Sequence, residues 1–165
     1  MSLRLILMRH AKSSWDDLSL PDHDRPLSPR GQRSADAIGA WLKDNNYMPD
    51  QVLCSSSART RETFERLGLA LEPIFLPSLY HASEDRMLQL LQYQAKGSCV
   101  LLLGHNPGAA FFAESIVAKA PQDEAFALFP TAATLVVDFN CDTWADLRFG
   151  QGEFHDFVVP RALMD

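Results

Sequence analysis

The sequence predicts an α/β fold: a doubly wound, mostly parallel sheet with helices on both faces and a C-terminal antiparallel hairpin at the edge. Three observations predict it. Short apolar runs at residues 4–8, 51–54 and 98–103 are bounded by polar residues or glycine, as expected of buried strands. Segments with helical spacing separate them, and strand-helix alternation implies parallel strands joined by helical crossovers. Two further strand-like runs, 133–139 and 144–149, flank the turn-forming Asn140-Cys141-Asp142, which reads as an antiparallel hairpin.

Taken in order, residues 4–8 form the first strand. Ser28 as cap and Pro29 at the first helical position open a helix to about Asn45, with Ala35, Ile38, Trp41 and Leu42 as its apolar stripe. Asn45-Asn46 and Pro49 stop it, and the strand at 51–54 follows. A second helix spans 58–69 with Phe64 and Leu67 inward, and 73–76 reads as a short edge strand. Ser83 caps a third helix carrying Met87, Leu88, Leu90 and Leu91. After Lys96-Gly97, the continuous run 99–103 is what a strand buried on both faces looks like. Asn106 and Pro107 open the fourth helix, and the hairpin completes the pattern.

The chain has 165 residues, which suits one domain spanning 1–165, and no linker, repeat or low-complexity tract divides it. With 15 Lys+Arg against 21 Asp+Glu, the net charge of −6 argues against a nucleic-acid binder or a partner of acidic membranes. The basic residues are unevenly placed: ten stand against nine acids before Leu67, and five against twelve from there on. Cys54, Cys99 and Cys141 are an odd number without metal-type or CxxC spacing and read as reduced core residues. No stretch reaches the ~18 apolar residues of a membrane span, and no signal-peptide pattern appears, so a cytoplasmic enzyme is the expectation.

The chemistry gathers where the strands end. In open α/β sheets the ligand crevice lies beyond the carboxyl ends of the parallel strands, so Arg9-His10, Arg59 and His105 are expected to meet there. A neutral imidazole attacks phosphorus and holds the phosphoryl group covalently. Arginine forks match phosphate oxygens in two-point contacts. The helix starts at Ser55-Ser56-Ser57 and at Gly104-His105-Asn106-Pro107 add backbone donors with partial positive charge, an anion site that requires no metal. His23, His81 and His155 lie in polar surroundings and read as ordinary surface residues.

Leu7-Met8-Arg9-His10-Ala11, Arg25-Pro26-Leu27-Ser28-Pro29-Arg30-Gly31, Ser55-Ser56-Ser57-Ala58-Arg59-Thr60 and Gly104-His105-Asn106-Pro107 resemble the motifs of the histidine phosphatase superfamily. The short SixA-like phosphohistidine phosphatase branch is the most similar, and it lacks the large inserted cap of mutases and acid phosphatases. The resemblance implies a phosphoglycerate mutase-like fold with His10 as phosphorylated nucleophile. It further implies Arg9 and Arg59 as phosphate clamps, His105 as the second pocket histidine, Asn106 as a phosphate contact, and Lys12 and Arg25 as pocket support. Ala11 stands where the larger superfamily has glycine, a substitution that costs energy wherever φ is positive.

Ester phosphatases of the superfamily also carry a carboxylic acid that protonates the leaving alkoxide. Glu84 and Asp85 are the candidates here, although a helix starting after Ser83 accounts for acids in its first turn. Imidazole, with a conjugate-acid pKa of about 6.5, departs with little help, so a weakly supported acid favours a phosphohistidine substrate. The expected activity is therefore metal-independent hydrolysis of a protein phosphohistidine by a monomer, with phosphate as product and no cofactor. A small-molecule phosphomonoesterase and a non-catalytic phosphate-recognition module are the alternatives. Cys54 and Arg59 have four residues between them, where a cysteine phosphatase needs five.

Overall fold

A computed structural model describes residues 2–164. The strands are β1 (Leu3–Arg9), β2 (Gln51–Ser55), β3 (Ile74–Leu76), β4 (Cys99–Gly104), β5 (Thr134–Phe139) and β6 (Glu153–Val158). The helices are α1 (Pro29–Asp44), α2 (Ala58–Leu67), α3 (Glu84–Gln94), α4 (Gly108–Ile116) and α5 (Glu124–Leu128). The strands form one sheet in the order β3-β2-β4-β1-β5-β6. The pairs β2-β3, β2-β4 and β1-β4 are parallel, while β5 runs antiparallel to both β1 and β6.

Side chains alternate across each strand, and both faces of the four central strands, β2, β4, β1 and β5, are covered. Leu5, Leu7, Val100, Leu102, Leu135 and Val137 face a core completed by Met87 and Leu91 of α3 and by Phe112 and Ile116 of α4. Ile6, Met8, Leu101, Leu103 and Val136 face a second core with Ile38 and Leu42 of α1 and Phe64 and Leu67 of α2. This two-sided burial is why the central strands read as apolar runs.

Hydroxyl caps start the long helices. Ser28 accepts from the Gly31 N–H at 3.1 Å, Ser57 from Thr60 at 3.3 Å and Ser83 from Arg86 at 3.1 Å. The second helix ends at Leu67, two residues short of expectation, because Gly68 adopts φ +69 and closes it with a left-handed cap. At Gly31 the first turn of α1 presses on the loop after His10: a Cβ there would lie 2.0 Å from the Lys12 carbonyl oxygen. Glycine permits the contact.

The C-terminal expectation needs correction in its second strand. Residues 144–149 are not extended: Trp144–Asp146 is a 3-10 turn, with Trp144 buried and its Nε1 donating to the Gly97 carbonyl at 2.8 Å. Trp144 and Leu147 act as core anchors of a long connection, so their apolar character mimics a strand. The true partner of β5 is β6, an edge strand with a register shift opposite Val136/Val137 and with Glu153, Phe154 and His155 exposed. The antiparallel edge is therefore present, but not as a tight hairpin. The fourth helix starts at Gly108, with Pro107 just before it at φ −81 and ψ −10, one residue later than expected.

Candidate active site

Adjacent parallel strands bring the two histidines together. Arg9 lies opposite Gly104 in the β1-β4 register, and the His10 N–H donates to the Gly104 carbonyl at 3.0 Å. His10 and His105 thus follow the carboxyl ends of neighbouring strands, with ring centroids 5.2 Å apart. Arg59 enters from the first turn of α2, behind the end of β2. The result is a cavity of about 640 Å³ lined by Arg9, His10, Lys12, Ser13, Trp15, Asp22, Arg25, Arg59, His81, His105, Asn106 and Thr131.

His10 is held in one tautomer. Its Nδ1 lies 2.7 Å from the Ala11 carbonyl oxygen, which only accepts, so Nδ1 carries the proton and Nε2 keeps the lone pair. Burial, reinforced by the nearby charges of Arg9, Arg59 and Arg25 against the Ala11 hydrogen bond, pulls its pKa down to about 4. The ring is neutral at pH 7. Ala11 itself is unstrained: it is not among the residues with positive φ, is fully buried, and donates its N–H to Thr63 Oγ1 at 3.0 Å. The absent glycine therefore has no conformational cost here.

His105 pairs through Nε2 with Ser55 Oγ at 2.7 Å. Burial, followed by the charges of its neighbours, lowers its pKa to about 3. Among the described residues, the buried side-chain nitrogens without a hydrogen-bond partner are Arg9 Nε, Arg59 Nε and His105 Nδ1. Unmatched buried polar groups are costly and concentrate where function demands them. All three belong to residues lining this cavity.

An acidic residue that the sequence reading passed over organises the arginines. Asp22 accepts from Arg59 Nη2 at 3.1 Å and from Arg25 Nη2 at 3.1 Å, its backbone carbonyl accepts from Arg59 Nη1 at 2.8 Å, and the Tyr80 hydroxyl donates to its carboxylate. The Tyr80 hydrogen bond, with those of the two arginines, holds the Asp22 carboxyl well below the usual carboxylate range. Arg25 also stacks on the Trp15 ring at 3.6 Å. Tyr80 in turn meets His105 edge-on at 5.4 Å and the Arg59 guanidinium at 5.8 Å.

The cavity thus collects Arg9, His10, Lys12, Arg25, Arg59, His105 and Asn106 from the sequence-derived set. Glu84 and Asp85 are not brought in: they sit in the first turn of α3, outside the lining, where a helix N-terminus explains them. The serines before α2 are also put to other use, since Ser57 caps the helix and Ser55 supports His105. His81, read as surface, lines the cavity; His23 bonds Ser56 at 2.9 Å, and His155 lies 3.5 Å from Asp138. Asp22 and Trp15 were missed because they stand in polar segments without a motif, and Thr131 because it lies in the apolar stretch from Phe129 to Ala133 with nothing to mark it; the only cue was the acid-rich Asp22-His23-Asp24 preceding Arg25. Among the described residues, no three His, Cys, Asp or Glu side chains form a metal-binding group. Burial pushes the Cys54 thiol up to about 12, which removes it as a thiolate nucleophile.

Fold and site together define an α/β domain with paired histidines and an arginine cluster at its strand ends. The model of the histidine phosphatase superfamily (branch 1) matches residues 5–81. An uncharacterised protein of Mycobacterium tuberculosis (strain ATCC 25618 / H37Rv) is 34% identical over 160 residues, covering 93% of this chain and 100% of its own. The solved structure of the "Putative Phosphohistidine Phosphatase SixA" of Nakamurella multipartitia is 31% identical with a TM-score of 0.82, over 97% of each chain. A protein histidine phosphatase SixA complexed with tungstate shares the fold at a TM-score of 0.80 and 23% identity, over 98% of this chain and 100% of that one. The chain belongs to the histidine phosphatase superfamily, in its SixA-like branch.

Proposed function

We propose that the protein is a protein phosphohistidine phosphatase that works through a phosphoryl group carried on His10. The observation that carries this reading is the His10 tautomer: with Nδ1 committed to the Ala11 carbonyl, Nε2 is an unprotonated nucleophile in an arginine-lined cavity. In the first step the Nε2 lone pair attacks phosphorus and the P–N bond to the substrate imidazole breaks. The far ring nitrogen of that imidazole takes its proton from solvent, so it leaves neutral. In the second step a water oxygen attacks phosphorus, the P–Nε2 bond breaks, and phosphate departs with the water protons.

Arg9, Arg59 and His105 spread donors over the equatorial oxygens, and positioning plus electrostatics supplies most of the rate. The carboxylates argue for the P–N bond. Asp22 is the one acid lining the cavity, and its two arginines and Tyr80 keep it ionised, so it has no proton to give an alkoxide. Imidazole, whose conjugate-acid pKa is about 6.5, leaves without such help. On this reading the substrate is a phosphohistidine-bearing signalling protein of the cytoplasm, met by a monomer that uses no metal.

Phosphate release from a histidine-phosphorylated carrier protein, run beside p-nitrophenyl phosphate and with chelator present, tests the proposal. Turnover of the carrier that resists chelation and is lost in His10→Ala, with weak ester activity, is expected. Faster ester than carrier hydrolysis would overturn the substrate class. Undiminished turnover by His10→Ala would overturn the mechanism.

A further inference from the structure

A second cavity of about 460 Å³ adjoins the active site, and Lys12 and Thr131 line both. Its other lining includes Arg30, Arg161, Leu128 and, as its one acid, Glu124. Lys12, Arg30 and Arg161 are exposed and enter no ion pair among the described residues. Three unpaired cations thus share one concavity on a chain of net charge −6. Leu128 stands 64% exposed on its wall. That wall is tied to the catalytic end, because Asn106 Nδ2 donates to the Leu128 carbonyl at 3.3 Å and to the Phe129 carbonyl at 3.0 Å.

We propose that this second cavity binds an acidic segment of the substrate protein, the stretch of chain flanking the phosphorylated histidine, while the phosphoryl group occupies the first. The inference rests on the phosphohistidine reading and adds what distinguishes one phosphoprotein from another. A polypeptide whose phosphoryl group sits against His10 must leave the first cavity, and the second is its immediate neighbour, with Lys12 and Thr131 lining both. Charge selects its flank. Exposed cations add modest affinity each, but several of one sign discriminate between partners and speed their approach. The preference runs against the chain's overall charge, which by itself favours basic partners.

Synthetic peptides phosphorylated on histidine by phosphoramidate, with Glu or Lys flanks, test this. Phosphoramidate itself reports the reacting pocket alone. Wild-type kcat/KM is expected to be about tenfold higher for the Glu-flanked peptide, through KM, and the preference shrinks as salt is raised. Arg30→Glu with Arg161→Glu is expected to abolish or reverse that preference and to leave phosphoramidate turnover unchanged, which also shows that the variant folds. Equal preference in both proteins overturns the proposal and leaves the phosphohistidine reading standing. If wild type turns over neither peptide, that reading fails, and inhibition of p-nitrophenyl phosphate hydrolysis by an unphosphorylated Glu-rich peptide decides the cavity. Inhibition lost in the double variant supports an acidic-segment site, and absence of inhibition in wild type overturns it.

Discussion

At the scale of the residue, His10 and Asp22 divide the work. His10 stays neutral because its surroundings are both buried and cationic, whereas Asp22 stays ionised because those same cations bond to it. Asp22→Asn is expected to lower kcat/KM about tenfold by loosening Arg59 and Arg25, corresponding to ~1.4 kcal/mol of transition-state stabilisation. The loss should be the same for p-nitrophenyl phosphate and for an alkyl phosphate, because Asp22 orients arginines and donates no proton. A markedly larger loss on the alkyl ester would make it the acid. The histidines also make stability depend on pH. With folded pKa values near 4 and 3, against about 6.5 unfolded, His10 and His105 bind protons more readily in the unfolded chain. Their contribution to stability is therefore present above about pH 6.5 and is lost as pH falls toward 4. Urea unfolding from pH 4 to 7 should show stability rising with pH. His10→Asn, whose amide can still donate to the Ala11 carbonyl, should flatten that slope while abolishing turnover.

At the scale of the element, strand ends and helix starts fix the site, and close contacts fix the helix starts. Gly31→Ala drives a Cβ against the Lys12 carbonyl, so α1 or the loop after His10 has to shift. Overpacking of this kind costs about 1–3 kcal/mol. Unfolding at a lower urea midpoint, with reduced kcat/KM from displacement of Lys12 and His10, is the expected result; wild-type stability would show that the loop yields freely. Sequence legibility followed the same physics. Runs buried on both faces and helices opened by Ser-Pro or by serine caps were readable because each has a local cause. The second strand of the C-terminal pair was not, since β6 is a half-exposed edge without an apolar run, while Trp144 and Leu147 supplied a false one. The histidines and arginines of the site stood at strand ends and helix starts, whereas Asp22 and Trp15 reach the cavity from a loop whose path depends on tertiary contacts such as the Arg25 stack.

At the scale of the whole molecule, the sheet separates what stabilises the fold from what performs the chemistry. His10 and His105 follow the carboxyl ends of β1 and β4, and Trp144 sits at the opposite end, where its Nε1 bonds the Gly97 carbonyl just before β4. At a strand rise of ~3.3 Å per residue, the eight steps from Gly97 to His105 put roughly 25 Å between them. Trp144 is 4% exposed and belongs to the core shared by α3 and α4. Trp144→Phe removes part of the indole and leaves the Gly97 carbonyl without its donor, which together cost about 1–3 kcal/mol. For a domain of this size each kcal/mol corresponds to ~2–4 °C in Tm. The variant should therefore melt several degrees lower yet keep wild-type kcat and KM at temperatures where it is folded. A change in KM beyond twofold under those conditions would mean that the two ends of the sheet are coupled, and the separation of scaffold from site would fall.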